Sequence, residues 1–266
     1  MESMNLGQYE LVYNAFSFSI ATMAAATLFF WLSRDTVAPQ YRAALVISGL
    51  VTFIAAYHYW RIFGSWSAAF VVDAGAGTVA PSGQKFNDAY RYVDWLLTVP
   101  LLLVELIIVM GLSRAATISK GVRLGVLAAL MVALGYPGEI ATDMSTRLLW
   151  GALSMVPFLF ILFELFVGLR GSIKNQPEEA RGLVNLAIWV TVLSWSFYPV
   201  VYFAPLLFGA GNANIATMSG DAAMIVQVGY TIADIVAKAA FGVLIFMIAS
   251  AKSQEWRNKN AAVSQA

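Results

Sequence analysis

The chain has 266 residues, of which 60% are hydrophobic and 12% charged, with a net charge of +1 and a mean hydropathy of +0.72. Soluble domains carry about a quarter charged residues, so this composition points to a protein of the bilayer. The absence of cysteine rules out a disulfide framework or a thiolate metal site, a single histidine argues against a zinc site built on histidines, and so few scattered cations build no face for nucleic acid.

Seven stretches are long and apolar enough to cross about 30 Å of hydrocarbon, each needing roughly 20 residues. They fall at 9–33, 43–63, 87–112, 121–140, 148–169, 183–208 and 221–250, which predicts an all-α, seven-helix membrane bundle spanning 1–250, one domain. Glu2 and Glu10 flank the start with no basic segment, so the first stretch is expected to stay as a span rather than be cleaved. Most connections are short and polar. The loop from Gly64 to Phe86 is longer, and its apolar pieces around Phe70-Val71-Val72 and Thr78-Val79-Ala80, separated by glycines, read as a small extracellular hairpin. The polar tail, 251–266, is expected to lose order after its first turn.

Orientation follows from the cations. Arg34, Arg42, Arg114, Lys120, Arg123, Arg170, Lys174, Arg181, Lys252, Arg257 and Lys259 lie at one side, against Arg61, Lys85 and Arg147 at the other. The positive-inside bias puts the N-terminus outside and the C-terminus in the cytoplasm.

The third stretch reads Arg91-Tyr92-Val93-Asp94-Trp95-Leu96-Leu97-Thr98-Val99-Pro100-Leu101-Leu102-Leu103-Val104-Glu105. On a helix, the eleven steps from Asp94 to Glu105 return to within about 20° of one face, roughly 16 Å along the axis. Thr98 lies between them, able to bond the carboxyl or an i−4 carbonyl, and Arg91 lies a turn outward, where its charge can hold Asp94 ionised. Each has a plainer reading: a back-bonded threonine, a kink at Pro100, a neutral packing acid at Glu105, a snorkelling Arg91. Their concentration on one face reads instead as a proton relay.

The last stretch contains Lys238, with Asp234 one turn earlier on the same face. A lysine at mid-membrane costs about 2.5–3.5 kcal/mol on insertion scales and needs a partner. The pair is either a buried stitch between helices or an amine prepared to condense with an aldehyde.

The string RYVDWLLTVPLLLVE, the late D-x-x-x-K, and Trp195-Ser196-Phe197-Tyr198-Pro199 together resemble the microbial rhodopsins, in particular the eubacterial outward proton pumps of the proteorhodopsin and xanthorhodopsin group. The likeness covers essentially all seven stretches. It implies a multi-pass protein of the bacterial inner membrane, a light-driven ion transporter rather than an enzyme. It also implies all-trans retinal on Lys238 as a protonated Schiff base, Asp94 as proton acceptor and counterion, Asp234 as second counterion and Glu105 as donor. His58 is expected to pair with Asp94. Trp95, Leu102, Trp195, Tyr198, Pro199 and Tyr202 are expected to wall the retinal slot, with Met131, Gly135, Ser154, Met155 and Phe158 at its ring end. Leu102 implies green absorption. Gly151 stands where the xanthorhodopsin group opens a window for a carotenoid antenna; a small residue for close helix contact is the equal alternative. Related pumps form trimers or pentamers.

The resemblance has a departure. The loop from Gly209 to Gly220 lacks glutamate, so the paired-carboxylate release group of bacteriorhodopsin is missing, leaving Glu139, Asp143 and Asp221 as weak candidates. A sensory photoreceptor is the rival within the family, disfavoured by Glu105. Sodium pumps would show Asn, Asp and Gln at 94, 98 and 105, and chloride pumps a neutral residue at 94. A retinal-free secondary transporter is the rival from another class, against which the lack of an inverted repeat argues.

Overall fold

A computed structural model describes residues 4–203 and 219–263. Within them, seven helical spans are long and apolar enough to cross a membrane. The elements are α1 (Leu6–Ser33), α2 (Arg42–Ala69), β1 (Phe70–Asp73), β2 (Thr78–Pro81), α3 (Ala89–Met110), α4 (Arg114–Glu139), α5 (Met144–Phe163), α6 (Arg170–Lys174), α7 (Glu178–Tyr202), α8 (Gly220–Asp234) and α9 (Phe241–Val263). A π-helical turn, Glu164–Gly168, leads from α5 towards α6, and another, Ile235–Ala240, joins α8 to α9 in one continuous seventh span.

Helix starts follow local chemistry. Asn5 opens α1 with a reciprocal cap, its Oδ1 accepting from Gln8 N and its own N–H donating to Gln8 Oε1, both at 2.9 Å. Asp143 caps α5 through Thr146 N at 2.8 Å, and Ser219 caps α8. Gly111 ends α3 at φ 66°, a left-handed conformation glycine adopts without strain.

Successive helices α1 to α5 pack side by side, α7 packs on the seventh span, and α8 returns to α1. Outward faces are apolar: Phe18, Leu32, Trp60 and Leu193 are 64–79% exposed. A water-soluble surface does not carry so much contiguous apolar area, whereas hydrocarbon accommodates it. Since lipid provides no hydrophobic drive between helices, close contact does the work, as where the Trp31 indole lies on Gly49 in the space a Cβ would fill.

The hairpin forms where the glycines and β-branched residues place it, antiparallel with Phe70 opposite Pro81 and Asp73 opposite Thr78. Phe70 anchors it, its ring 4.8 Å from Trp66 and 5.6 Å from Tyr9. The tail differs from expectation, because α9 runs on to Val263. Its first polar turn is buried: Lys252 Nζ donates to Val109 O, Met110 O and Gln176 Oε1 at 2.8, 3.1 and 2.7 Å, and Ser253 Oγ accepts from Ala38 N at 2.7 Å. Lysine and serine in that turn read as solvated polarity in sequence, yet they are tertiary contacts. The expected end of the sixth span at 208 and most of the loop from Gly209 lie outside the described residues.

Candidate functional site

Lys238 sits in the π-helical turn of the seventh span and is 1% exposed. Its Nζ forms ion pairs with Asp94 of α3 and, at 3.1 Å, with Asp234 Oδ1 one turn back. The π turn marks a local departure from regular helix at the residue carrying the amine, a placement frequent at functional sites.

The two carboxylates differ in environment. Asp234 is held by three donors: Trp95 Nε1 at 3.0 Å and Tyr198 OH at 2.5 Å on Oδ1, and Tyr59 OH at 2.7 Å on Oδ2. Asp94 binds Lys238 through Oδ2, while its buried Oδ1 has no hydrogen-bond partner among the described residues. An unsatisfied buried carboxylate oxygen is costly, which sets Asp94 apart from the fully bonded Asp234.

His58 approaches that oxygen: its Nδ1 is 4.0 Å from Asp94 Oδ1 but 2.9 Å from Ile54 O in its own helix. The ring is a neighbour of Asp94 without a direct hydrogen bond. Thr98 takes the backbone option, donating to Asp94 O at 2.8 Å. Arg91 points away from Asp94. Its Nε meets Asp88 at 3.4 Å, Nη1 donates to Tyr59 OH at 3.2 Å and Nη2 to Gln227 Oε1 at 2.6 Å. Its influence therefore reaches the site through Tyr59 and Asp234, a link that residue spacing on α3 does not reveal.

Glu105 lies towards the other end of α3, fully buried, with no ion-pair partner among the described residues. Ser48 Oγ is 2.5 Å from its Oε2 and 3.1 Å from Ala44 O, while Oε1 has no partner.

An apolar slot of about 780 Å³ runs from Lys238 between α3, α4, α5 and α7. Its walls include Trp95, Leu102, Trp195, Tyr198, Pro199 and Tyr202, and Met131, Gly135, Ser154, Met155 and Phe158 as well. Sequence reasoning missed Tyr92, Val99, Val132, Phe203, Tyr230 and Ala237, uncharged residues whose place on the slot only the packing of the helices reveals. Gly151 also lines the slot. A Cβ there would lie 2.8 Å from Phe203 Cζ and 3.1 Å from Tyr202 Cε1, so both rings close over the glycine.

At the end of the bundle near β1 and β2, Arg147 pairs with Glu139 at 3.1 Å and donates to Tyr202 O at 2.7 Å. Glu139, Asp88 and Tyr92 border a second cavity of about 1290 Å³. Asp143 is spoken for by its cap, and hydrogen bonds from Ser145 and Thr146 lower its carboxyl to a pKa of about 2, which leaves it ionised at neutral pH and unfit to store a proton. Asp221 accepts from Gln8 Nε2 at 2.5 Å.

Comparison with known proteins gives consistent matches. Residues 11–252 match the family model described as bacteriorhodopsin-like protein. The chain is 31% identical over 248 residues to a green-light absorbing proteorhodopsin of Gamma-proteobacterium EBAC31A08, covering 91% of this chain and 88% of that one. Among solved structures, xanthorhodopsin, a light-driven ion pump with dual chromophore, superposes with a TM-score of 0.88 at 48% identity, covering 95% of this chain and 97% of the other. A thermophilic rhodopsin gives 0.85 at 43% identity with the same coverage.

Proposed function

We infer, for a chain that belongs to the bacteriorhodopsin-like family, a light-driven outward proton pump carrying all-trans retinal on Lys238. The pumps of this family are light-driven ion transporters rather than enzymes. The observation that carries the finer reading is the amine lining an apolar slot, set between one saturated and one unsaturated carboxylate. A long apolar aldehyde suits such a slot, and a cationic nitrogen formed from Nζ would meet two anions already in place. When bound, retinal supplies light absorption and the isomerisation that redirects the proton on that nitrogen.

The chain's own residues do the rest. Asp94 Oδ1, with no donor of its own, is the oxygen that receives a proton; Asp234, with three, stays the fixed anion. Tyr59 and Arg91 hold Asp234 in that role. Glu105, with a proton on Oε2, would donate to Ser48 Oγ, which in turn donates to Ala44 O, leaving every proton in this group bonded. That arrangement supports Glu105 as the donor that returns a proton from the far side. Moving one charge against 100 mV requires about 2.3 kcal/mol, so the two ends of α3 must differ in proton affinity as these environments do.

The cation bias supports an N-terminus outside and a C-terminus in the cytoplasm of the bacterial inner membrane, which makes Glu105 the cytoplasmic-side group and transport outward. Leu102, apolar and lining the slot, supports green absorption. Assembly as a trimer or pentamer stands as an expectation from related pumps.

Asp94→Asn tests the reading. Illuminated cells carrying the natural chain should acidify their medium, and a protonophore should abolish the signal. The variant should keep its colour, pump nothing, and lose the acid-induced spectral shift of the natural pigment. Acidification undiminished in the variant would refute Asp94 as acceptor.

A carotenoid antenna beside Gly151 is proposed on the dual chromophore of the xanthorhodopsin relative. Docking there requires the Phe203 ring to leave its place over the glycine. Mixing pigment with a hydroxylated carotenoid should sensitise retinal excitation in the carotenoid band, and an excitation spectrum without that band removes the antenna.

A further inference from the structure

We propose that the groove between the π-helical end of the fifth span and the base of α7 binds one anionic phospholipid, its phosphate held by Arg170, Lys174 and Arg181. The groove measures about 800 Å³ and has two tiers. The three cations and Asn185 form its polar part. Leu165, Ile173, Ile188 and the Phe166–Trp189 pair, with ring centroids 5.2 Å apart, form its apolar part.

The charge is uncompensated. Among the described residues no carboxylate lines the groove, and none lies within 4.0 Å of the three cations. The neighbouring Lys120 and Arg123 are different, since both pair with Glu164. Arg181 is held in place by one bond, Nη2 to Gln176 O at 3.1 Å, which leaves most of its guanidinium fork free for phosphate oxygens. Three like charges gathered at the edge of hydrocarbon repel one another unless an anion joins them.

A lipid satisfies both tiers, where a soluble phosphate would satisfy one. Beside the cations, Phe166, Trp189, Val167 and Leu186 are 38–55% exposed, and aromatic rings next to cations at the end of a span suit the headgroup region. An acyl chain can lie along this face while its phosphate sits among the cations. Basic pockets between spans recognise anionic headgroups, and each cation near the surface contributes roughly a fivefold preference. The site does not depend on the pump reading, and its test runs in darkness.

The full-length protein is reconstituted in phosphatidylcholine nanodiscs with a minority of phosphatidylglycerol, one or the other lipid brominated on its acyl chains, and tryptophan quenching is measured. Brominated phosphatidylglycerol should quench more than brominated phosphatidylcholine at equal mole fraction. That excess should vanish in Arg170→Gln/Lys174→Gln/Arg181→Gln and in Trp189→Phe, which removes the local reporter and leaves the cations. Equal quenching by the two lipids overturns the proposal, as does an excess that survives either variant. Loss of the excess on adding inorganic phosphate would assign the cations to a soluble anion and overturn it also. Should the triple variant fail to fold, Trp189→Phe alone still decides.

Discussion

Replacing Lys238 with alanine is expected to yield membranes with no visible absorption band and no light-driven acidification. Among the described residues, the amine is the only nucleophilic nitrogen lining the slot, and no other lysine borders it. The variant also leaves Asp94 and Asp234 facing each other without a cation. Breaking a buried ion pair by removing one partner costs about 3–5 kcal/mol, so lower yield is expected alongside the missing colour. Colour and yield are separable. Lys238→Arg keeps a cation between the carboxylates but presents a guanidinium that does not condense with an aldehyde, so it should recover yield more than Lys238→Ala while remaining colourless. A coloured alanine variant, measured after adding all-trans retinal to purified membranes, would overturn the covalent assignment.

Glu105→Gln is expected to keep colour and the first proton transfer and to slow the return of the pigment to its dark state by about 10²–10⁴-fold, the usual contribution of a positioned acid. Glutamine fills the same volume beside Ser48, so packing is preserved while the exchangeable proton is lost. The delay should become steeply dependent on the pH of the medium, because protons must then arrive from outside. Azide or another small weak acid should restore part of the rate by carrying protons in. Flash spectroscopy across a pH series checks this, and a recovery rate equal to that of the natural chain would remove Glu105 from the donor role.

How much of this was visible in sequence depends on what burial makes conspicuous. Lys238, Asp234, Asp94 and Glu105 stand out because a charged letter inside an apolar run is expensive, and expense calls for a partner. The hairpin was legible for a different reason, since glycines and β-branched residues are local instructions. Tyr59, Gln227 and Ser48 were silent: tyrosine, glutamine and serine are ordinary in spans, and only the packing of α2 and α8 against α3 aims them at the site. The same limit explains Arg91, whose helical spacing suggests Asp94 but whose long side chain reaches outward to Asp88, Tyr59 and Gln227. Periodicity reports which face a residue occupies, and it is silent on where a flexible side chain ends. The π turn at Lys238 and the ordered run to Val263 belong to the same class of tertiary outcome.

The Lys252 ammonium has a mechanical consequence. By bonding the last carbonyls of α3 and the amide of Gln176 at once, it rivets the helix that carries Asp94 and Glu105 to the span that carries Lys238 and Asp234, with the root of α7 clipped to the same point by Gln176. Sliding either partner along its axis would strip several bonds together, so the carboxyl row and the amine keep a common ruler. A rearrangement beside Glu105 is therefore expected to come as a tilt of helices about that rivet rather than as a slide of the two that it joins.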